Sequence, residues 1–469
     1  MRYALTVVML AALLAAACKD SESPTEKTPS HSTPAAMRPE PVAPLPEGVL
    51  LVQRESRLPT TFAIAADGSV AEHQQGFIYV PSPDGEHASF MRGASQDRPS
   101  EVVIMDGQGR ETFAQRGPEP GPDSMYPGVL WSPDGSELAY TLPDEQRPSA
   151  NRVYLVNADG KERRQVTTDA GSYSLIGWTQ DGRLLVRDGA GLTLMGGKTE
   201  ALPLPEGLPA LGDVQMSRGG RFVAFTVGNF DETRQLWLLE VDTGDSRLLA
   251  EMGRLARRPA EERYVSAAPP AAPLPDAPAA MLKGPPPLAW SPDGKRIAYY
   301  RNGMVESNTL TSELRVVDVE TGQDVSVTTE SSSAATWSPD GRYLAESGGD
   351  QGGVVLLGPG NGVRTLDVQP NYMLWAPDGR LLAVSGGSLS LVDPETGDVE
   401  EARTADGKAI VGAQGWGAVW SPDGRHLAVA TGEDAGMRNG SLYVIDTQTA
   451  TAALILEKGS FQPVAWLRS

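Results

Sequence analysis

The sequence predicts an all-β fold of short antiparallel meanders arranged radially about an axis. Three observations predict it. The first is a phrase that returns along the chain: LWSPDGSELAYT, AWSPDGKRIAYY, TWSPDGRYLAES, LWAPDGRLLAVS and VWSPDGRHLAVA. Marked by its Trp position, it falls at Pro81, Trp131, Trp178, Met216, Trp290, Trp337, Trp375, Trp420 and Trp466, at intervals of 38 to 50 residues with one of 74. Self-similarity at a period in the forties marks stacked supersecondary units. The second is the grammar inside each unit, four short apolar runs separated by turns, which reads as one four-stranded meander. The third is the turn chemistry, which suits hairpins and no other connection.

In Ser421-Pro422-Asp423-Gly424, Pro fixes φ at the second turn position and Asp suits the third. Gly takes the positive φ with which the chain enters the next strand, giving a type I turn with a G1 bulge. A second turn is spelled VDTGD at Val241–Asp245, VETGQ at Val319–Gln323 and DPETGD at Asp393–Asp398, again with Gly where a left-handed residue is needed. The repetition is therefore a structural demand, and the turn aspartates are expected to serve the turn, not catalysis. Seven of the nine tryptophans occupy the marker, Trp237 and Trp416 being the exceptions. A ring at one phase of every unit is expected to wedge neighbouring sheets together.

Four-stranded meanders repeated radially make a β-propeller. WSPDG followed by LAY or IAY, then a strand ending in D-x-x-T-G, resembles the TolB-type, WD40-like (PD40) propeller repeat, which also occurs in the propeller of the prolyl-oligopeptidase family. The motif is complete at Trp131, Trp290, Trp337 and Trp420, and worn at Trp375, where Ala376 replaces Ser. It is degraded at Trp178, Met216 and Pro81. About eight blades are expected, with a range of seven to nine. The tail Phe461–Trp466 reads as a lone first strand, and Val49–Arg54 with Thr61–Ala65 as later strands lacking one. Joining them closes the ring like a clasp and leaves no open edge.

Ahead of the repeats, Arg2 and the apolar Ala4–Ala17 segment form a signal peptide (1–17), too short to span a bilayer. Ala15-Ala16-Ala17 before Cys18, the sole cysteine, resembles a bacterial lipobox, so Cys18 is the expected lipidation site and the chain a lipoprotein. If Cys18 is not lipidated, the chain is expected to be secreted. Residues 18–47 hold seven prolines among Ser, Thr and Glu and are expected to form an extended tether. The propeller takes 48–469, interrupted at 251–287 by an insertion that begins basic and then carries nine prolines.

With 60 acidic against 40 basic residues the net charge is −20, which argues against nucleic acid and against an electrostatic grip on anionic lipid. Contact with the membrane is expected through the lipid anchor alone. No G-x-S-x-G elbow, H-E-x-x-H pair, EF-hand, P-loop or dinucleotide fingerprint occurs, so no catalytic residue, metal or cofactor is assigned.

Strand alternation puts the SPDG and TG turns on one face, and the second-to-third loops with the inter-unit links on the other. That second face varies in sequence, and loops on a rigid scaffold carry binding. Its candidate partner-binding residues are Asp231, Glu232, Arg254, Arg257, Arg258, Arg263, Asp350, Glu433 and Asp434. TolB-type propellers act as periplasmic protein-interaction modules, but the α/β domain of that family is replaced here by the proline tether. The expected function is a monomeric, non-enzymatic scaffold of the cell envelope, in the periplasm or on the outer membrane, binding an envelope protein or cell-wall component. The alternative is a propeller enzyme, hydrolase or lyase, acting on polysaccharide or peptide with paired carboxylates at the channel mouth.

Overall fold

The strands of this protein read as continuous apolar runs, such as VLLV at Val49–Val52 and VVIM at Val102–Met105, because both faces of each sheet are covered. The structure, a computed structural model, describes residues 41–54, 60–73, 77–92, 100–118, 128–189, 191–208, 210–228, 233–254, 288–304, 310–328, 335–347, 353–366, 368, 370, 372–385, 388–411, 418–432 and 440–468. Among them lie nine sheets, eight of four antiparallel strands and one of five. Nine stands at the upper end of the expected range, one above the number favoured from the usual size of propellers.

Blades are numbered here in chain order. Blade 1 comprises 49–73 plus the last strand, Phe461–Leu467; blades 2 to 8 span 77–116, 129–165, 173–201, 211–254, 288–328, 335–366 and 372–401; blade 9 spans 403–459. The short strand Arg403–Thr404 joins blade 9 in parallel, beside Thr451–Gly459. The clasp forms as expected. Phe461–Leu467 pairs antiparallel with Val49–Arg54 and supplies the first strand that the N-terminal segment lacks.

Alternating side chains of one strand face opposite seams. In blade 1, Val49 and Leu51 pack against Phe90 and Met105 of blade 2, whereas Leu50 and Val52 pack against Ala428 and Leu442 of blade 9. The same division repeats around the molecule. Nine apolar clusters fill nine seams, one between each consecutive pair of blades and one between blades 9 and 1, so the ring is closed. Fourth strands are the wet edges; Arg163–Gln165 is exposed throughout.

The marker tryptophans lie in these seams and make a repeated polar contact. The indole Nε1 of Trp131 donates to the carbonyl of Val80 at 3.0 Å, the residue just before the marker of the preceding blade. Trp178 reaches Leu130 (3.5 Å), Trp290 reaches Gln215 (3.3 Å), Trp337 reaches Ala289 (3.0 Å) and Trp375 reaches Thr336 (2.9 Å) by the same rule. Trp466 departs from it and donates to the carbonyl of Glu47 at 2.9 Å, across the clasp. Trp420 has no acceptor, and its Nε1 is buried.

A second side chain seals the same slot. At four seams a residue at the entry to the second strand lies against the indole of the following blade. His87 is 6.1 Å from Trp131, Tyr343 is 6.5 Å from Trp375 and His426 is 6.4 Å from Trp466, while the Arg296 guanidinium lies 4.5 Å from the Trp337 ring centre. Chemically different groups thus fill one position, as a flat or cationic cover on an aromatic face.

Residues 41–47, read from sequence as the end of the tether, are drawn onto the body. The Val42 N–H donates to the Ile455 carbonyl at 2.8 Å, and Leu45 is buried against blade 9. At the other end the Arg468 N–H donates to the Gly85 carbonyl at 2.7 Å. Residues 1–40, including the signal segment and Cys18, lie outside the described residues, as does 255–287; residues 251–254 complete the fourth strand of blade 5, Ser246–Arg254.

The indole contacts predict unequal effects of one substitution. Trp131→Phe keeps most of the apolar area but takes from the Val80 carbonyl the shorter of its two side-chain hydrogen bonds, leaving that from the Ser89 hydroxyl at 3.3 Å, a cost of about 1 kcal/mol. Trp420→Phe removes an N–H that has no acceptor and is expected to be neutral or mildly stabilising. Urea unfolding midpoints of the two variants against wild type provide the comparison.

Candidate functional site

The turn face is built from carboxylates that serve the turn itself. In Ser132–Gly135 the Ser132 hydroxyl donates to Asp134 Oδ1 at 2.6 Å, the Ser136 N–H donates to the same oxygen at 3.0 Å, and the Glu137 N–H donates to Ser132 Oγ at 2.9 Å. The Gly135 N–H closes the turn on the Ser132 carbonyl at 2.9 Å, with φ of 75° at Gly135. Ser291–Asp293, Ser338–Asp340 and Ser421–Asp423 repeat the hydroxyl contact at 2.6, 2.6 and 2.5 Å, and Ser82–Asp84 and Thr179–Asp181 make it more closely. Where Ala376 removes the hydroxyl, Asp378 pairs with Arg380 at 2.9 Å. In the TG turns, Asp318 Oδ1 accepts from the N–H groups of Glu320 and Thr321, and Asp393 Oδ1 from those of Glu395 and Thr396. The Ser132 hydroxyl, followed by the Ser136 N–H and hydroxyl, holds the Asp134 carboxyl below its usual range, so it stays ionised.

On the opposite face, most of the variable loops fall outside the described residues. Asp231, Glu232, Asp350, Glu433 and Asp434 lie outside them, as do Arg257, Arg258 and Arg263. Arg254 ends the fourth strand of blade 5, paired with Thr233. The loop after Thr141 is fully described, and it is braced. Asp144, buried at 6% exposure, accepts the Gln146 and Arg147 N–H groups on Oδ1, and Arg152 Nε on Oδ2 at 2.7 Å. Arg152 also donates to the Thr168 carbonyl at 2.7 Å and Arg147 to that of Ala170 at 3.0 Å. Asn151 exchanges two hydrogen bonds of 2.9 Å with the backbone of Tyr173 in blade 4. Glu145, Gln146 and Arg147 remain exposed on this fixed frame. Arg187 crosses the next seam in the same manner, donating to the Leu211 and Gly212 carbonyls at 2.7 Å each. The sequence reading noted the loop's variability but not Asp144 or Asn151. The Asp-x-x-Arg spacing from Asp144 to Arg147 was the available signal.

Two groups of mixed donors lie on the turn face. Glu47, Asp423 and His426 bring one ligand atom each to within 4.8 Å of one another, and so do Asp84, Glu86 and His87. The first group joins the two ends of the chain at the clasp; the second lies within one turn. Burial, and after it the Asp423 carboxylate, pushes the Glu47 carboxyl up. Burial alone would raise Asp423 too, but the Ser421 hydroxyl, the Arg425 N–H, Glu47 and His426 together hold it down. The two carboxyls are thereby driven apart in proton affinity. Sequence reasoning left Glu47 in the tether, because nothing near it in the chain announces its partners. A further acid it did not single out, Glu346, is fully buried in the second strand of blade 7, at the phase occupied by Tyr140 and Tyr299 elsewhere.

No family model matches the chain, and no curated protein matches it. Solved structures do. A crystal structure of the eukaryotic initiation factor is similar with a TM-score of 0.57 and 12% identity, covering 90% of this chain and 98% of that one. Dipeptidyl peptidase 4 of Porphyromonas gingivalis is similar with a TM-score of 0.52 and 11% identity; 81% of this chain is covered and spans 59% of that protein's length. TolB of Acinetobacter baumannii also matches, with a TM-score of 0.29 and 15% identity over 80% of each chain. At such identities the first two bear on the fold alone, and with the closed ring of sheets they make the chain a β-propeller.

Two substitutions probe these frames. Asp144→Ala leaves two N–H groups and Arg152 without their acceptor, so stability should fall by about 1–3 kcal/mol, with proteolytic nicking appearing at 145–149. Because the folded-state pKa of Asp134 lies below its ordinary 3.8, its stabilisation is present above that value and disappears as pH falls through the folded one. The stability gap between wild type and Ser132→Ala should therefore narrow as pH drops from 7 to about 3. Denaturant midpoints across that range test it, and a constant gap would show that the Asp134 carboxyl takes no part.

Proposed function

We propose that this propeller is a non-enzymatic protein-binding scaffold of the bacterial cell envelope, anchored through a lipid on Cys18. The observation that carries the reading is the braced loop at 141–152. It spends a buried carboxylate and two arginines on its own geometry and presents Glu145 and Gln146 outward. A polar tip held rigid before any partner arrives lowers the ordering cost of association. The opposite face is occupied by turns that satisfy their own polar groups, so recognition falls to the variable face. The resemblance to TolB-type repeats supports a partner that is an envelope protein or a cell-wall component. The Ala-Ala-Ala-Cys sequence at residues 15–18 supports export and lipidation.

A photo-crosslinking amino acid at Gln146 in the full chain, expressed in a bacterial host with an envelope, is expected to capture a discrete partner. The same residue placed at Asp378, exposed on the turn face, is not. Equal capture from both faces would overturn the assignment of the binding face, and turnover of a peptide or polysaccharide by the purified body would overturn the non-enzymatic reading. Labelling with a radioactive fatty acid should be lost in Cys18→Ser.

A further inference from the structure

We infer that Glu47, Asp423 and His426 form a binding site for a divalent transition-metal ion of the zinc class, which fastens the N-terminal strand to the last blade. This inference does not depend on the binding-scaffold reading. It rests first on geometry. The three ligand atoms lie within 4.8 Å of one another, and His426 Nδ1 is 3.9 Å from Asp423 Oδ1. Zinc bonds of about 2.0–2.2 Å place tetrahedral ligands about 3.4 Å apart, so side-chain movements of at most about 1.4 Å complete the set. It rests second on idle donors. Glu47 Oε1 and His426 Nδ1 are both buried without a hydrogen-bond partner. Buried polar atoms are ordinarily satisfied, and two such atoms on side chains that converge with a second carboxylate, that of Asp423, need a common partner.

The surroundings hold each ligand in place. Asp423 accepts from the Ser421 hydroxyl at 2.5 Å and the Arg425 N–H at 2.8 Å. The His426 ring lies against Trp466, whose indole N–H in turn holds the Glu47 carbonyl at 2.9 Å. Outer contacts of this kind orient metal ligands and tighten binding. The donor chemistry selects the ion. One imidazole nitrogen with two carboxylates suits zinc and its transition-metal neighbours, whereas calcium and magnesium prefer oxygen alone. Two carboxylates in contact also repel, and a cation removes that repulsion.

The twin group Asp84, Glu86 and His87 sets the contrast. It has a similar donor set, and His87 Nδ1 is likewise buried without a partner. Its ligands, however, lie within a few residues of one another, so unfolding need not disperse them. A metal there gains little preference for the folded state, whereas one held by residues 47, 423 and 426 is bound only when the ring is closed.

The full chain, stripped with a chelator, is titrated with Zn²⁺ while heat released and thermal unfolding are recorded. A saturable rise in Tm is expected in wild type and in His87→Gln. In Glu47→Gln and His426→Gln the rise should vanish, with zinc affinity reduced at least about tenfold. Glu47→Gln keeps the main-chain carbonyl that Trp466 uses, so a folded far-UV spectrum is expected and the comparison survives if His426→Gln misfolds. No zinc-dependent rise in wild type, an undiminished rise in Glu47→Gln, loss of the rise in His87→Gln alone, or a response to Ca²⁺ but not Zn²⁺ would each overturn the assignment.

Discussion

The indole N–H that reaches back to the preceding blade is the contact on which the architecture depends. Apolar packing brings two sheets together without fixing how far one slides along the other. A donor at one phase of the first strand, and an acceptor at the residue before the same phase in the next sheet, fixes that offset. The rule holds at five consecutive-blade contacts, from Trp131–Val80 to Trp375–Thr336. Each bond is modest in net energy, and its value lies in the offset it fixes. The exceptions are informative. Met216 fills its seam without a donor, Trp420 lacks an acceptor, and Trp466 turns its bond onto Glu47, where the chain ends meet.

From that register follows a division of labour between faces. The SPDG and TG turns exhaust their own hydrogen-bonding groups, which makes one face uniform and chemically quiet except at the clasp. On the other face the chain is free to vary, and where it is described it is pinned across seams by Asn151 and Arg187. The side chains covering four of the indoles show the same economy: His, Arg and Tyr fill one slot as a flat or cationic cover.

What could be read from sequence was what repeats or what is local. The period, the four-strand grammar, the turn aspartates and the wedging tryptophans are each announced within a dozen residues. The clasp was readable too, because a lone first strand and an incomplete blade at opposite ends imply each other. Blade number was less so, since degraded units such as Met216-Ser217-Arg218-Gly219-Gly220 keep the strand pattern while losing the words. Glu47 was not readable, because its partners stand at the far end of the chain and its own neighbourhood is proline-rich. Nor were Asp144 and Asn151, whose roles lie in contacts with Arg152 and with the backbone of the following blade. Glu346 broke the pattern in the opposite sense, a charged residue at a phase that carries an aromatic ring at Phe90, Tyr140, Phe225 and Tyr299.

The placement of Phe461–Leu467 inside a blade whose other three strands are the first to be made governs the order of assembly. Blades 2 to 9 can form as the polypeptide is synthesised, each against its predecessor. Blade 1 cannot, because Phe461–Leu467, which completes it, follows blade 9 in the chain. Until then the growing body is an open arc with two bare sheet edges, and the joining step must bring together segments separated by nearly the whole length of the chain. Such non-local pairing is slow.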